Sequence, residues 1–231
     1  MKTIGLIGGM SWESSAEYYR LINQQVKARL GGLHSAKILM FSLDFAEIEK
    51  LQSQGKWDQA GEILIDAAQR LEKGGADFLL LCTNTMHKLA GDIQKNISIP
   101  LLHIADATGL EIKKTTIKKI GLLGTRFTME QDFYKGRLRD KFGFEVLIPD
   151  AADRQMVHDV IYHELCLGII QPHSKEKYKK IIHNLVNRGV EGFILGCTEI
   201  SLLINQKDSL VPLFDTTKIH AAAAVDKALQ P

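Results

Sequence analysis

The chain has few cysteines and no long apolar run, the features that are typical of disulfide-rich secreted proteins, structural zinc proteins and membrane proteins. Only three of its 231 residues are cysteine, and no apolar run approaches the roughly 20 residues that a membrane-spanning helix needs. Cys82, Cys166 and Cys197 are widely separated and form no C-x-x-C pair, which argues against a disulfide framework or a structural zinc site. The composition therefore predicts a cytoplasmic protein with free thiols and no membrane partner.

An excess of charge of one sign is also missing. The 29 lysine and arginine residues nearly balance the 27 aspartate and glutamate residues, which leaves a net charge of +2. Without a basic excess, no nucleic-acid partner is expected. The hydrophobic fraction of 45% excludes intrinsic disorder and is large enough for a sizeable core.

Several catalytic and targeting motifs are absent from the sequence. It contains no P-loop and no G-x-S-x-G elbow, and the glycines that follow the first apolar segment do not have the G-x-G-x-x-G spacing of a dinucleotide-binding turn. No histidine and carboxylate cluster has the spacing of metal ligands. The first nine residues carry one charge and are interrupted by glycine, so no signal peptide is expected.

Short apolar segments alternate with amphipathic ones, which predicts an α/β fold with open parallel sheets. The predicted strands are residues 4–7, 37–43, 78–82, 119–123, 144–148, 192–195 and 210–214. The predicted helices are residues 57–71, 152–167 and 175–188, and one that Ser11 caps and that buries Tyr19, Ile22, Val26 and Leu30. The uninterrupted apolar run at 78–82 is typical of a parallel strand covered on both faces.

Three segments recur in the same order at nearly constant spacing. Residues 2–8 resemble 118–124, residues 75–84 resemble 189–198, and residues 99–102 resemble 211–214. This internal repeat predicts two pseudo-symmetric domains, residues 1–105 with 213–231 and residues 106–212. Ligands of open α/β sheets bind beyond the carboxyl ends of the strands, so an active site is expected in the cleft between the two domains.

The repeat makes Thr83 and Cys197 equivalent, each directly after a predicted strand and at a predicted helix start. A helix N-terminus lowers the pKa of a thiol, so Cys197 is the candidate thiolate, although a buried and inert cysteine is the alternative. Cys82 and Cys166 are predicted to be core residues, Cys166 on the apolar face of helix 152–167.

The segment after the third predicted strand offers two hydroxyls and an amide within three residues, Thr83, Asn84 and Thr85. Helix capping explains the first two residues, whereas ligand binding explains the whole group. For His87, one turn further on, a structural role is favoured over a direct catalytic one.

Five segments together resemble the pyridoxal-phosphate-independent aspartate/glutamate racemase family of the Asp/Glu/hydantoin racemase superfamily. The likeness extends over essentially the whole chain. It is strongest to the bacterial aspartate racemase branch, and within it to the L-aspartate/glutamate-specific or broad-specificity amino-acid racemases. The segments that carry it are residues 8–14 (GGMSWES), 83–87 (TNTMH), 123–125 (LGT), 162–165 (YHEL) and 196–200 (GCTEI).

The resemblance implies a two-base reaction without metal or cofactor. In such enzymes one cysteine thiolate removes the α-proton of an amino acid, and a second cysteine thiol returns a proton on the other face. Cys197 matches the second family cysteine, which generally acts on the L-enantiomer, whereas Thr83 stands where the family has the first. The family is commonly dimeric, so a homodimer is expected.

The resemblance also implies a set of substrate-binding residues. Glu164 is expected to meet the ammonium group, and Met10 and Gln52 to contact the substrate side chain. The remaining members are expected to hold the carboxylate or to orient the catalytic groups; they are Asn84, Thr85, Thr125, Thr198 and Glu199.

The function predicted on these grounds is racemisation of aspartate and/or glutamate, with Cys197 as thiolate base and Thr83 in place of the other cysteine. Two alternatives stay open. One is another activity of the superfamily, such as hydantoin racemisation or maleate isomerisation. The other is a catalytically impaired amino-acid-binding protein, which the threonine at position 83 favours.

Overall fold

Two four-stranded parallel sheets carry the fold, one in each of two units of the chain. The computed structural model describes residues 1–230. The first unit comprises Met1–Ile104 and the segment from His220 onward, and the second unit comprises Ala105–Ile219. The predicted α/β class with two parallel sheets is confirmed.

The sheet of the first unit has the strand order β2-β1-β3-β4. Its strands are β1 (Ile4–Gly8), β2 (Ile38–Ser42), β3 (Phe78–Leu81) and β4 (Leu101–Leu102). The helices of this unit are α1 (Trp12–Leu30), α2 (Phe45–Ser53), α3 (Trp57–Lys73), α4 (Ala90–Lys95) and a 3-10 turn at Thr85–Leu89.

The sheet of the second unit repeats this order as β6-β5-β7-β8. Its strands are β5 (Lys119–Gly124), β6 (Glu145–Leu147), β7 (Gly192–Gly196) and β8 (Leu213–Asp215). The helices are α5 (Ile104–Ile112), α6 (Arg126–Glu130), α7 (Asp132–Phe142), α8 (Ala151–His163), α9 (Pro172–Asn187), α10 (Ile200–Leu203) and α11 (Thr216–Leu229), which continues into the first unit, with 3-10 turns at Leu165–Leu167 and Gln206–Asp208.

The structure explains why the sequence of β3 is an uninterrupted apolar run. Leu79 and Leu81 pack on one side of the sheet, in a cluster with residues of α3. Phe78 and Leu80 pack on the other side, in a cluster with residues of α1 and α11. Because successive side chains of a strand point to opposite faces, both faces of β3 are buried, as the sequence predicts.

The domain division differs at one boundary from the sequence-based boundary. The predicted boundary at residues 212/213 would assign β8 to the first domain, whereas β8 pairs with β7 in the second unit. The chain therefore leaves the second unit only after Ile219, within helix α11.

Two helix predictions need correction, and a further helix was not predicted. The buried face of α1 includes Tyr18, Ile22 and Val26, whereas Tyr19 and Leu30 are 54% and 44% exposed. The predicted helix 152–167 ends at His163, where the backbone leaves the helical conformation and a 3-10 turn follows. Helix α2 was not predicted; its first turn is stabilised by the side chain of Asp44, which accepts from the Ala46 N–H.

The described part of the chain contains no helix long and apolar enough to span a membrane.

Gly9 directly follows β1 and has a backbone conformation that other residues rarely adopt. Its φ is +87°, and a Cβ built on it would lie 2.1 Å from the backbone oxygen of Leu43. Its N–H donates to the Ser15 hydroxyl at 2.8 Å. Only glycine therefore brings the first loop this close to the chain that leaves β2.

We expect Gly9→Ala to lower the free energy of unfolding by about 2–4 kcal/mol, from left-handed strain together with the backbone clash. Chemical denaturation measures this change. Gly91→Ala is the matched control, because Gly91 is exposed in α4 and nothing lies within 4 Å of its built Cβ. That control should be neutral or stabilising by up to about 1 kcal/mol, and an equal loss in both variants would contradict the clash.

Candidate functional site

The predicted site residues fall into two groups, one in each unit, which we call the first and the second half-site. The first half-site contains Met10, Gln52, Thr83, Asn84 and Thr85. The second half-site contains Thr125, Glu164, Cys197, Thr198 and Glu199.

Thr83 lies two residues beyond the end of β3 and is buried, with 9% of its surface exposed. The peptide carbonyls on either side of its α-carbon are both held by side chains. The Ser14 hydroxyl donates to the Cys82 carbonyl at 2.8 Å, and the His87 Nδ1 lies 2.8 Å from the Thr83 carbonyl. Thr83 is therefore fixed by side-chain bonds rather than by the strand ladder.

His87 is buried and its protonation state follows from its two ring partners. The N–H of Ile104 donates to Nε2 at 3.1 Å, so Nε2 carries no proton. The proton is then on Nδ1, which donates to the Thr83 carbonyl. Both ring nitrogens are used in structural hydrogen bonds, in agreement with the structural role favoured from the sequence.

The other predicted residues of the first half-site are also buried. Asn84 and Thr85 begin the 3-10 turn that follows β3. The Gln52 amide donates to the sulfur of Met86 at 2.8 Å. Met10 packs with Met86 in the apolar cluster on the α3 side of the sheet. Gln52 therefore contacts Met86 directly, and Met10 belongs to the same apolar cluster as Met86.

In the second half-site, two glycines let adjacent strands end side by side. Gly124 and Gly196 are register partners at the ends of β5 and β7. A Cβ on Gly124 would lie 2.8 Å from the Gly196 carbonyl oxygen. The next residue on each strand is a predicted site residue, Thr125 or Cys197. Thr125 caps α6 by accepting from the Thr128 N–H at 3.3 Å.

The Glu199 carboxylate organises the segment after β7. Its Oε2 accepts from the Cys197 thiol at 2.9 Å and from the Thr198 hydroxyl at 2.6 Å. Burial raises the pKa of the Cys197 thiol well above its usual range, and the nearby negative charge of Glu199 raises it further. At neutral pH the structure therefore holds Cys197 as a thiol that donates to a carboxylate.

The expectation that a helix start lowers the pKa of Cys197 is therefore wrong. The helix after β7 begins only at Ile200 and is four residues long, so its N-terminal field is weak. Cys197 lies before that turn, next to a carboxylate. Burial and a close negative charge outweigh the small field of a single helical turn.

Glu164 lies at the break between α8 and the following 3-10 turn and has one unused oxygen. Its Oε1 accepts from the Ser174 hydroxyl at 2.9 Å. Its Oε2 is buried and has no hydrogen-bond partner within residues 1–230. Glu164 and Cys197 both act electrostatically on the buried hydroxyl of Tyr178, which places them in one neighbourhood of the second unit.

The three cysteines have different environments. Cys82 is fully buried, and burial raises the pKa of its thiol, in agreement with the predicted core role. Cys166 is only half-buried because it lies in the 3-10 turn after α8, so the prediction of a helical core position is wrong. Cys197 is half-buried as well. Within residues 1–230, no group of three or more histidine, cysteine or carboxylate side chains is placed to hold a metal ion.

Sequence reasoning did not identify two residues that support the half-sites, Ser14 and Ser174. Ser14 supports the peptide before Thr83, and Ser174 supports Glu164. Ser14 lies three residues after the predicted cap Ser11, and Ser174 lies in the first turn of α9, so each has an ordinary local explanation. Their roles depend on contacts across 68 and 10 residues of sequence, which no local pattern indicates.

Comparison with known proteins agrees with the motif-based resemblance. The profile of the family described as Asp/Glu/Hydantoin racemase matches residues 7–224. The broad specificity amino-acid racemase RacX of Bacillus subtilis (strain 168) is 29% identical over 175 residues, which cover 74% of each chain. A candidate Asp/Glu racemase from Yersinia pestis is 59% identical with a TM-score of 0.93, over 100% of both chains. An aspartate racemase homologue from Pyrococcus horikoshii OT3 is 34% identical with a TM-score of 0.86, also over 100% of both chains.

The charge of Glu199 is expected to control the reactivity of Cys197. We expect Glu199→Gln to lower the pKa of the Cys197 thiol, because the substitution removes a negative charge that disfavours the thiolate. Since only the thiolate is alkylated, iodoacetamide should modify the variant severalfold faster at pH 7.

The measurement is a pH series of alkylation rates read by mass spectrometry, in a Cys166→Ser background so that one accessible thiol remains. Slower alkylation of Glu199→Gln at every pH would contradict this expectation. That result would show that the carboxylate promotes thiolate formation more than its charge opposes it.

Proposed function

The chain belongs to the Asp/Glu/hydantoin racemase family and is a racemase, and we propose that it interconverts the L- and D-enantiomers of aspartate and/or glutamate. The observation that carries this proposal is the hydrogen-bonded pair of Cys197 and Glu199 at the end of β7. This pair provides a thiol that can remove the α-proton of an amino acid once its own proton has moved to the carboxylate. Thr83, at the equivalent place after β3, provides a second proton-transfer group.

The first step we propose is activation of Cys197 along its hydrogen bond to Glu199. The thiol proton moves to Oε2, which leaves a thiolate beside a neutral carboxylic acid. The net charge of the pair remains −1, so this transfer costs less than ionising the buried thiol to solvent. The Thr198 hydroxyl, which also donates to Oε2, holds the carboxylate in place for that transfer.

The thiolate then removes the α-proton of the L-amino acid. The electron pair left on the α-carbon is delocalised into the substrate carboxylate, which must be stabilised by hydrogen-bond donors. We propose Asn84, Thr85 and Thr125 for this role, because each is a buried polar side chain in the segment that follows a strand of its sheet. The buried free oxygen of Glu164 provides an acceptor for the ammonium group.

Return of a proton to the opposite face is assigned to the Thr83 hydroxyl. An alcohol is a far weaker acid than a thiol, but it can still donate to a strongly basic carbanion. The Thr83 alkoxide left by this donation then takes a proton from water, and Glu199 releases to water the proton it received from Cys197, which restores the resting state. In the reverse direction the hydroxyl is a poor base, so removal of the α-proton from the D-enantiomer is slow. We therefore propose rapid exchange of the α-proton of the L-enantiomer with retention, and slower inversion.

The test is incubation of the protein with each enantiomer of aspartate and glutamate in D2O. Chiral chromatography reports inversion and mass spectrometry reports exchange. Exchange and inversion of free amino acids support the proposal. Binding of these amino acids without any exchange would instead favour the amino-acid-binding alternative that the threonine suggests.

Cys197→Ala is expected to reduce both exchange and inversion by at least about a thousandfold, because no other group would take the α-proton of the L-enantiomer. Cys166→Ala is the matched control, since Cys166 is also half-buried in the second unit. Its rates should stay close to those of the unmodified protein. Retained exchange in Cys197→Ala would remove Cys197 from the mechanism.

Thr83→Cys is expected to raise inversion relative to exchange and to speed exchange from the D-enantiomer, because a thiolate is a much better base than a threonine hydroxyl at neutral pH. Thr83→Ser, which keeps a hydroxyl, is the control and should not change this ratio. If the unmodified protein already exchanges both enantiomers equally fast and Thr83→Cys adds nothing, then another group serves the second face.

A further inference from the structure

We propose that His87 is a positioning residue for the Thr83 step: its uncharged ring holds the backbone of Thr83 so that the hydroxyl can return a proton. This inference rests on the proposed function. It assigns to His87 no contact with substrate and no proton transfer of its own.

The need for such a residue follows from where β3 ends. The Cys82 N–H donates to the Ile7 carbonyl at 3.0 Å, and β3 itself ends at Leu81. Thr83 therefore lies just beyond the part of the chain that the sheet orients. Ser14 holds the carbonyl before Thr83, and His87 holds the carbonyl of Thr83 itself. Together they fix the two peptide groups that determine the direction of the Thr83 side chain.

The ring of His87 is itself anchored, which a positioning role requires. Its Nε2 accepts from the Ile104 N–H, two residues after β4, at 3.1 Å. The ring of His103 lies 4.6 Å from it, measured between ring centroids. The His87 ring thus connects the chain after β3 with the chain after β4. A small shift of either strand end would be transmitted to the Thr83 carbonyl.

The surroundings of His87 keep the ring uncharged. The neighbouring ring of His220, 5.7 Å away, lies between the Leu102 carbonyl and the Tyr18 hydroxyl, each at 2.8 Å. Burial lowers the pKa of His220 to about 4, so this neighbour is neutral at physiological pH. A second proton on His87 would set its Nε2–H against the Ile104 N–H. Only the tautomer with the proton on Nδ1 can bond both the Thr83 carbonyl and the Ile104 N–H.

If His87 positions Thr83, its loss has different consequences from the loss of a residue that only stabilises the fold. Cys197 and Glu199 lie in the second unit, whereas Thr83, His87, Ile104 and the other histidines of the cluster lie in the first. Loss of the His87 hydrogen bond should therefore affect the steps that use Thr83, which are inversion and exchange from the D-enantiomer. Exchange from the L-enantiomer, which uses Cys197, should persist.

Two amide substitutions separate the two hydrogen bonds of the ring. In His87→Asn, the shorter side chain can place an amide N–H near the position of Nδ1 and keep the bond to the Thr83 carbonyl. In His87→Gln, the longer side chain can place its oxygen near the position of Nε2 and keep the bond to the Ile104 N–H. We expect His87→Gln to lose about tenfold to a hundredfold in inversion and in D-side exchange, with L-side exchange changed less than about twofold. His87→Asn should retain more inversion than His87→Gln.

The effect of His87→Gln on inversion should disappear when residue 83 has no hydroxyl. Adding His87→Gln to Thr83→Ala should cause no further loss of inversion, because the positioned group is already absent. Thermal unfolding of each variant shows whether it folds. An equal loss of L-side and D-side exchange in a folded His87→Gln variant, or a further loss on the Thr83→Ala background, would overturn the proposal.

A measurement on the unmodified protein keeps the proposal testable if the variants do not fold. Nitrogen chemical shifts of the histidine rings by NMR report which nitrogen carries the proton. The proposal requires His87 to be neutral with its proton on Nδ1, and a charged ring or a proton on Nε2 would overturn it. If the unmodified protein exchanges no α-proton of either amino acid, the proposed function fails, and the Thr83 role falls with it. Exchange in the unmodified protein together with unselective His87 variants overturns only this inference.

Discussion

Burial of both faces of each parallel sheet is the constraint on which the rest of the structure depends. A strand covered on both faces has apolar side chains along its length, as β3 shows with four consecutive buried residues. Polar chemistry is then restricted to the residues that follow the strand ends. Thr83, Thr125 and Cys197 all occupy such positions, immediately after or near the last residue of β3, β5 and β7.

The same constraint explains the electrostatics of the second half-site. A thiol placed at the end of a buried strand loses water, and the carboxylate that organises the segment adds a negative charge close to the sulfur. Both effects favour the protonated thiol. Glu199 is both a group that raises the pKa of Cys197 and the hydrogen-bond acceptor that its thiol contacts.

The first half-site is organised by neutral hydrogen bonds instead. Two histidines, His87 and His220, each donate from one ring nitrogen to a backbone carbonyl and accept at the other. Such pairs hold a chain segment without burying a charge, which would cost far more. The two half-sites thus have different chemistry on the same topology: a carboxylate and a thiol in one, and a backbone-anchored hydroxyl in the other.

The sequence by itself determined the class of the fold, the duplication and the family. Apolar runs, strand-end glycines and repeated segments are local patterns, and they suffice because sheet burial and turn geometry act on neighbouring residues. The sequence also placed Thr83 and Cys197 at strand ends. It missed helix α2 and misjudged the end of α8, because helix ends depend on single caps and backbone breaks rather than on periodicity. The direction of the pKa shift of Cys197, the tautomer of His87 and the support from Ser14 and Ser174 were decided only by the tertiary structure. Each of these features depends on burial or on a specific partner that folding brings into contact. The spacing of residue types along the chain encodes none of them.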